Sequence, residues 1–371
     1  MNSGNIELYY DYMRKGENME MINRYKEIYD RLMDDESRHI FNERLLYSMT
    51  GDKVHLDNLG KEFEKNALES EEWKSFYAQL LAKESEGLVV YAAGYWGREL
   101  LKHTKDIEWK AVVDGNPGID ELCGVKVMSL SEYVSKGHSY NIVISSRVYY
   151  EEIKEMLIDK GISENKIIDG AVLFDMSERK QYFDLKELPH CDKEIFADVG
   201  CYDGLSAVFF NEWCNGKGFS YCFEPDKVNI DRIRKVLRYK NVSNYELIEK
   251  GVWDSTTNLE FVSTGNSVSH VVEVDSDTED ADTIEVVALD DILLDKEITF
   301  IKMDIEGAEY AALKGASQII RSQKPKLAIC IYHKPQDIWE LPELILQLNG
   351  EYKFYIRHYS YKDNETVLYA F

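Results

Sequence analysis

The sequence predicts an α/β protein with two successive Rossmann-like units, the second built on a seven-stranded mixed sheet. Three observations carry this. Short apolar runs alternate with helix-length segments from Leu88 onward, and again from Ile195 onward. A glycine-bearing turn follows the first strand of each unit, Gly94 to Gly97 and Gly200 to Gly204. The last two strands are separated only by Ser360 to Glu365, too short for a crossover helix, so they should form an antiparallel hairpin at a sheet edge.

Residues 1–86 read as a helical N-terminal region. Ile22, Tyr25, Ile28, Tyr29, Leu32 and Met33 recur near helical spacing, Gly51-Asp52 is a stop, and a second helical stretch runs to about Lys83. Such periodicity is first of all a packing signal. Residues 87–175 read as a small Rossmann-like, nucleotide-binding-like domain with strands at Leu88–Ala93, Trp109–Asp114 and Tyr140–Ser145. Its helices begin near Arg98, turn through Ser131 to Lys136, and run from Tyr150 to Lys160 before Gly161. Residues 176–371 form the third part, opening with a polar junction that contains Pro189. Its strands are predicted at Ile195–Val199, Phe219–Phe223, Tyr245–Glu249, Thr299–Met303, Lys326–Tyr332, Tyr352–His358 and Thr366–Phe371. Two further strand-like runs, Asn258–Val262 and Thr283–Ala288, flank positions 273–282, where six of ten residues are acidic. That run reads as a solvated loop.

Composition narrows the partners. Of 371 residues 44% are hydrophobic, enough for packed cores, and the 6 prolines exclude a collagenous chain. Lys plus Arg number 44 against 68 acidic residues, a formal net charge of −24, so no nucleic-acid partner is expected. No apolar run approaches the ~18 residues of a membrane span, and the N-terminus lacks the pattern of a secretory signal. The six cysteines are scattered without a CxxC pair. They predict neither a zinc site nor a disulfide framework, and the expected location is the cytoplasm.

The chemistry concentrates in the loops after the later strands. Gly200 and Gly204 let the turn Asp198-Val-Gly-Cys-Tyr-Asp-Gly204 approach a ligand closely. Asp198 and Asp203 crowd this turn and would repel a phosphate. Glu224, 24 residues beyond Gly200 and followed by Pro225, is placed to accept hydrogen bonds from ribose hydroxyls. Gly251 and Val252 follow the third strand, where an adenine would lie. Asp304 and Glu306 stand at the end of the fourth strand. Ligands of open α/β sheets bind outside the carboxyl ends of the strands. Any one of these acids is also accounted for as an ordinary helix N-cap. Five together suit S-adenosylmethionine, a cationic nucleoside without phosphate, and a divalent metal is the competing explanation for Asp304 and Glu306.

The ordered set DVGCYDG, FEP, KGVWD, ALDDI, FIKMDIEGAEYAALKGA and AICIYHKPQDIWELP resembles the FkbM-type S-adenosylmethionine-dependent methyltransferases over Ile195 to Phe371. The resemblance implies a Rossmann-like class I methyltransferase fold. It implies that Asp198, Gly200, Tyr202, Asp203 and Gly204 hold the methionine part, and that Glu224 and Pro225 stand at the ribose. Gly251, Val252 and Asp304 complete the cofactor site. Cys201-Tyr202 departs from many relatives, which carry smaller or amide residues there. The family implies O-methylation of a sugar, polyketide or similar small hydroxylated acceptor; a nucleotide-sugar acceptor and a homodimer are the further partner expectations.

A hydroxyl acceptor needs a base. The candidates are Asp304, Glu306 and His333, with His358 a second histidine more simply read as structural. Lys334 and Arg357 are placed to neutralise an acidic substrate group. No metal ligand set is assigned. In the first unit, Ala92-x-Gly94-x-x-Gly97 with Asp114 20 residues after Gly94 is a degraded nucleotide fingerprint, in which Ala92 replaces the first glycine. It reads either as a nucleotide-sugar or acceptor site or as a fold that lost its ligand. Two alternatives to a methyltransferase stand: a non-catalytic cofactor-binding or scaffolding protein, and a nicotinamide-dependent oxidoreductase using the Gly94 loop.

Overall fold

The computed structural model describes residues 16–262, 270–271 and 282–371. They gather into two units, residues up to Lys61 with Tyr182–Phe371, and Glu62–Gln181. The acidic run at 273–282 lies outside the described residues except for Asp282.

The chain enters through α1 (Gly16–Arg31), α2 (Asp35–Thr50) and α3 (Val54–Glu69). Asp34 caps α2 by accepting from the Ser37 amide at 2.8 Å, and Gly51 closes it in the left-handed conformation, φ 68°.

The Glu62–Gln181 unit continues with α4 (Glu71–Lys83), β1 (Leu88–Tyr91), α5 (Tyr95–His103), β2 (Trp109–Asp114), β3 (Glu121–Leu122), β4 (Val125–Ser129), α6 (Leu130–Ser135), β5 (Asn141–Ile144), α7 (Tyr150–Asp159) and β6 (Ile167–Asp169). Its sheet has the order β3-β4-β2-β1-β5-β6, parallel except for β3. The expected strands are β1, β2 and β5. The hairpin β3–β4 escaped the sequence reading because its two-residue turn, Cys123-Gly124 with φ of 52° and 83°, places a cysteine where asparagine or aspartate is the usual signal. Strand β6 has only three residues, too few for a pattern.

In the larger unit β7 (Ile195–Val199), α8 (Leu205–Trp213), β8 (Phe219–Phe223), α9 (Lys227–Tyr239) and β9 (Tyr245–Ile248) form one half of a sheet. A separate four-stranded sheet follows, with β10 (Gly251–Val252), β11 (Thr257–Val262), β12 (His270–Val271) and β13 (Asp282–Val287) in the order β10-β13-β11-β12. The two extra strand-like runs belong here, outside the main sheet. The chain then returns through α10 (Leu289–Leu293), β14 (Phe300–Met303), α11 (Glu309–Gly315), α12 (Ser317–Gln323), β15 (Lys326–Cys330), α13 (Asp337–Leu348), β16 (Phe354–His358) and β17 (Thr366–Ala370).

The main sheet is seven-stranded and mixed, order β16-β17-β15-β14-β7-β8-β9, with β17 antiparallel to both β15 and β16. The central strands are buried on both faces and read as continuous apolar runs. Phe196 stacks on Phe210 with ring centroids 4.6 Å apart, and both rings are fully buried. Edge strand β16 is covered by the chain's own start. Met33 N donates to Phe354 O at 3.0 Å, and Ile356 N donates to Ser37 Oγ at 2.9 Å. Ile28, Leu32, Ile40 and Phe41 join the core of the main sheet. This blunts an otherwise free sheet edge. Strand order reverses at β7, which pairs with β8 on one side and β14 on the other. The crevice above that switch point is where an open α/β sheet presents a ligand site.

Candidate active site

The turn from β7 into α8 is held by backbone conformations that few side chains tolerate. Gly200, Tyr202 and Gly204 have φ of 79°, 47° and 85°. A Cβ on Gly200 would stand 2.0 Å from the Asp304 carbonyl oxygen, so this position admits only glycine. The Gly200 and Cys201 amides donate to Phe223 O at 3.1 and 3.2 Å, tying the turn to the end of β8.

Asp198 is fully buried at the end of β7. Its Oδ1 lies 3.3 Å from Lys302 Nζ, whose side chain is 3% exposed, and its Oδ2 accepts from Ser206 Oγ. Lys302 also donates to Gly200 O and lies over the Tyr182 ring at 5.4 Å. Burial opposes its charge, but the carboxylates of Asp198 and Asp304 overcome that and hold its pKa above the usual lysine value. Asp198 is therefore the counter-ion of a buried lysine within the loop's foundation. Asp203, half-buried, accepts from the Leu205 amide at 3.0 Å as a local cap, and burial raises its pKa.

Glu224 is 5% exposed and accepts only N–H bonds. Oε2 takes the Tyr202 amide at 3.0 Å, and Oε1 takes the Asp226 amide at 3.0 Å and Asn229 Nδ2 at 3.4 Å. Burial nevertheless raises its pKa to about 7. Tyr202 lies under the Arg232 guanidinium, 5.0 Å from its ring centroid. Pro225, half-buried, has its Cγ 3.9 Å from where a Gly251 Cβ would stand, and Val252 beside it is buried. The ends of β7 and β8 therefore meet at Tyr202 and Glu224, and Pro225 brings the start of β10 at Gly251 beside them.

A second cluster stands at the ends of β14 and β15. Asp304 Oδ2 accepts from Tyr182 OH and Oδ1 from Tyr332 OH, each at 3.0 Å. His333, with a side chain 7% exposed, lies among three carboxylates. Its Nδ1 is 2.9 Å from Glu309 Oε1, and its Nε2 is 3.4 Å from Asp304 Oδ1 and 3.7 Å from Glu306 Oε2. Glu309, buried, also accepts the Ile305 amide at 2.9 Å.

These neighbours separate the titrations. Burial disfavours the His333 cation, but Glu309 first and then Asp304 and Glu306 outweigh it and push its pKa up to about 9. Burial opposes the Asp304 charge too, yet Lys302 and His333 hold its pKa below the usual aspartate value. Glu306 has the histidine but not the lysine to compensate it. Burial, opposed mainly by His333, leaves it at about 7, with its side chain 26% exposed. At neutral pH His333 is therefore an imidazolium, which does not suit the role of base assigned to it from its unperturbed pKa.

Among the described residues, two clusters have the close spacing of metal ligands: Asp198, Cys201 and Cys222, and Asp304, Glu309 and His333. In both a protein cation already supplies positive charge, Lys302 in the first and His333 in the second.

Other sequence candidates fall elsewhere. Arg357 is occupied by Asp34 at 2.6 Å and Glu36 at 3.2 Å, so it ties β16 to the start of α2 and has no free charge for a substrate. His358 Nδ1 lies 2.8 Å from Thr366 Oγ1 in a buried setting that lowers its pKa to about 3, a structural histidine. In the smaller unit, Asp114 Oδ2 accepts from the Ala93 amide at 2.8 Å and its Oδ1 from the Asn116 amide at 2.9 Å. Gly97 packs so closely that a Cβ would stand 2.2 Å from Ala92 O, whereas a Cβ on Gly94 would meet open space. The loop therefore keeps the packing glycine of the fingerprint, and its acid is taken up internally.

Lys302, Glu309, Tyr182 and Tyr332 complete the site without having been singled out. A lysine inside the apolar run Phe300-Ile-Lys-Met303 was the available signal. The others are visible only once the chain ends converge.

Residues 198–362 match a family model described as methyltransferase FkbM domain. No curated protein matches the chain. Among solved structures, a methyltransferase FkbM from Methylobacillus flagellatus is 21% identical, over 86% of this chain and 100% of that one, with a TM-score of 0.44. A precorrin-6y C5,15-methyltransferase from Geobacter metallireducens is 11% identical over 54% of this chain and 86% of its own, TM-score 0.32. Aeropyrum pernix fibrillarin, solved with bound S-adenosyl-L-methionine, is 12% identical over 51% and 71%, TM-score 0.32. Taken with the strand order, the family match means that residues 198–362 are similar to an S-adenosylmethionine-dependent methyltransferase domain of the FkbM type.

Proposed function

We propose that this chain methylates a hydroxyl oxygen of a small acceptor, a sugar or similar polyol. One observation carries the reading: Glu306, a partly exposed carboxyl with a pKa near 7, stands just past the end of β14 beside the imidazolium of His333. Such a group takes a hydroxyl proton at neutral pH. Asp304 is too weak a base, with both oxygens already accepting tyrosine hydroxyls.

S-adenosylmethionine, when bound, supplies an electrophilic methyl carbon on a cationic sulfur. The residues fit it. Glu224 offers acceptor oxygens for ribose hydroxyls, and the Gly200–Gly204 turn keeps the backbone within reach. The acids around it disfavour a phosphate. Lys302 fixes Asp198, and with it the shape of the turn. Asp304, held by Tyr182 and Tyr332, keeps His333 charged, and His333 orients Glu306 toward the acceptor. Alignment supplies much of the rate in such a displacement.

The test is turnover to S-adenosylhomocysteine against a library of hydroxylated metabolites, read by mass. A gain of one methyl on an oxygen supports the proposal. Tight cofactor binding with no product across the library favours a non-catalytic binding protein. Failure to bind the cofactor removes the reading.

A further inference from the structure

Beside the acidic cluster lies a polar pocket of ≈ 160 Å³ within the larger unit. One wall is α2, where Arg44, Tyr47 and Ser48 share a face at helical spacing. The other wall is the segment after β15, with Tyr332, His333 and Lys334. Tyr332 and His333 also touch Asp304, so the pocket adjoins the proposed chemistry.

Arg44 is the unusual member. It is 5% exposed, yet its guanidinium meets only neutral acceptors among the described residues: Nε donates to Thr366 Oγ1 at 2.7 Å and Nη2 to Asp363 O. Burial pulls its pKa down to about 10, with the more distant charge of Asp363 the largest opposing influence. Lys334 likewise makes no ion pair among the described residues. A buried cation without a counter-ion is costly. This chain carries 68 acidic residues, and Arg357 on the neighbouring strand holds two of them. The lack of a partner at Arg44 is a local property of the pocket. Facing these cations, the one carboxylate on the lining is Asp363, which is exposed and gives Arg44 its backbone oxygen.

We propose that this pocket holds an oxyanion, carboxylate or phosphoryl, carried by the acceptor, gripped by Arg44 Nη1 and Lys334, so that the acceptor is an acidic hydroxylated molecule. A guanidinium offers the planar N–H pair that such a group accepts. Anchoring the acid here turns the rest of the molecule toward Glu306 and His333. The inference rests on the methyltransferase reading for its chemistry. The anion pocket itself does not depend on that reading.

The experiment is calorimetric titration of the full chain with glucose, glucuronate and glucose 6-phosphate, each with and without S-adenosylmethionine. At least one acid should bind roughly tenfold or more tighter than glucose, as loss of a charged hydrogen-bonded contact would cost. Its affinity should fall with added salt. Whichever acid wins identifies the group. Lys334→Gln should weaken that acid about threefold to tenfold, and Arg44→Gln should abolish its preference over glucose. S-adenosylmethionine binding should be unchanged in both. Should Arg44→Gln fail to fold, Arg44→Lys and Lys334→Gln decide, the first losing the paired geometry while keeping the charge. Equal binding of glucose and both acids, or acid binding unmoved by these variants, overturns the proposal. Acid binding that depends on Arg44, in a protein that does not bind S-adenosylmethionine, keeps the pocket and removes only the methyltransferase chemistry.

Discussion

Lys302 Nζ lies 3.3 Å from Asp198 Oδ1, with side chains 3% and 0% exposed, between the parallel central strands β7 and β14 of the main sheet. The pair couples the end of β7 to β14 and supports the turn above it through Gly200 O. Removing one partner leaves an uncompensated buried charge. Lys302→Met should therefore destabilise the protein by about 3–5 kcal/mol, and adding Asp198→Asn should recover much of that loss. Urea denaturation of the four proteins in the cycle measures it. A single-variant loss below about 1 kcal/mol would show that the pair carries little of the turn's stability.

Gly200→Ala should place a methyl group 2.0 Å from the Asp304 carbonyl oxygen at φ 79°. The backbone conformation alone costs about 1–3 kcal/mol for a non-glycine residue, and the overlap adds to it. We expect a clear fall in melting temperature and loss of S-adenosylmethionine binding by calorimetry. Gly94→Ala, where a Cβ meets nothing within 4 Å, is the matched control.

Glu224→Gln should weaken cofactor binding without unfolding the protein. All three neighbours of this side chain donate N–H bonds, so an amide must turn an N–H against one of them. The expected loss is roughly tenfold in affinity, the size of one unsatisfied buried contact. Unchanged affinity would show that Glu224 does not face the ribose.

Methyl transfer should rise with pH through about 7 as Glu306 ionises, and fall above about 9 as His333 loses its proton. The profile of kcat/KM reports both groups in the free enzyme. Glu306→Gln should lower the rate by roughly 10²–10⁴ and remove the acidic limb. A limb that persists in this variant assigns the base elsewhere.

Stability should fall between about pH 5 and pH 9. Glu224, Glu306 and Asp337 have folded pKa values raised to about 7, so each favours the fold below its unfolded value and loses that advantage as pH rises to 7. His333, raised to about 9, adds stability below its unfolded value that disappears as pH climbs through 9. Melting temperature against pH checks this. His333→Gln should flatten the limb above pH 6.5, the ordinary histidine value.

Much of this protein could be read from the sequence because local patterns are short-range physics. Alternating apolar runs and helices define the strands, and Ser360 to Glu365 is too short for anything but a hairpin between β16 and β17. The glycines at 200 and 204 mark a turn whose backbone has positive φ. Glu224 and Asp304 fall at strand ends because each closes a predicted apolar run. What tertiary structure alone decided is the partnership of charges far apart in sequence. Asp198 reads from the sequence as a cofactor residue, and only the fold sets Lys302 beside it, 104 positions later on the adjacent strand. His333 looked like a base until Glu309, Asp304 and Glu306 surrounded it. Arg357 looked free until Asp34 and Glu36, more than 300 residues earlier, closed on it. A side chain's pKa and availability depend on distance and burial, and those are properties of the folded chain.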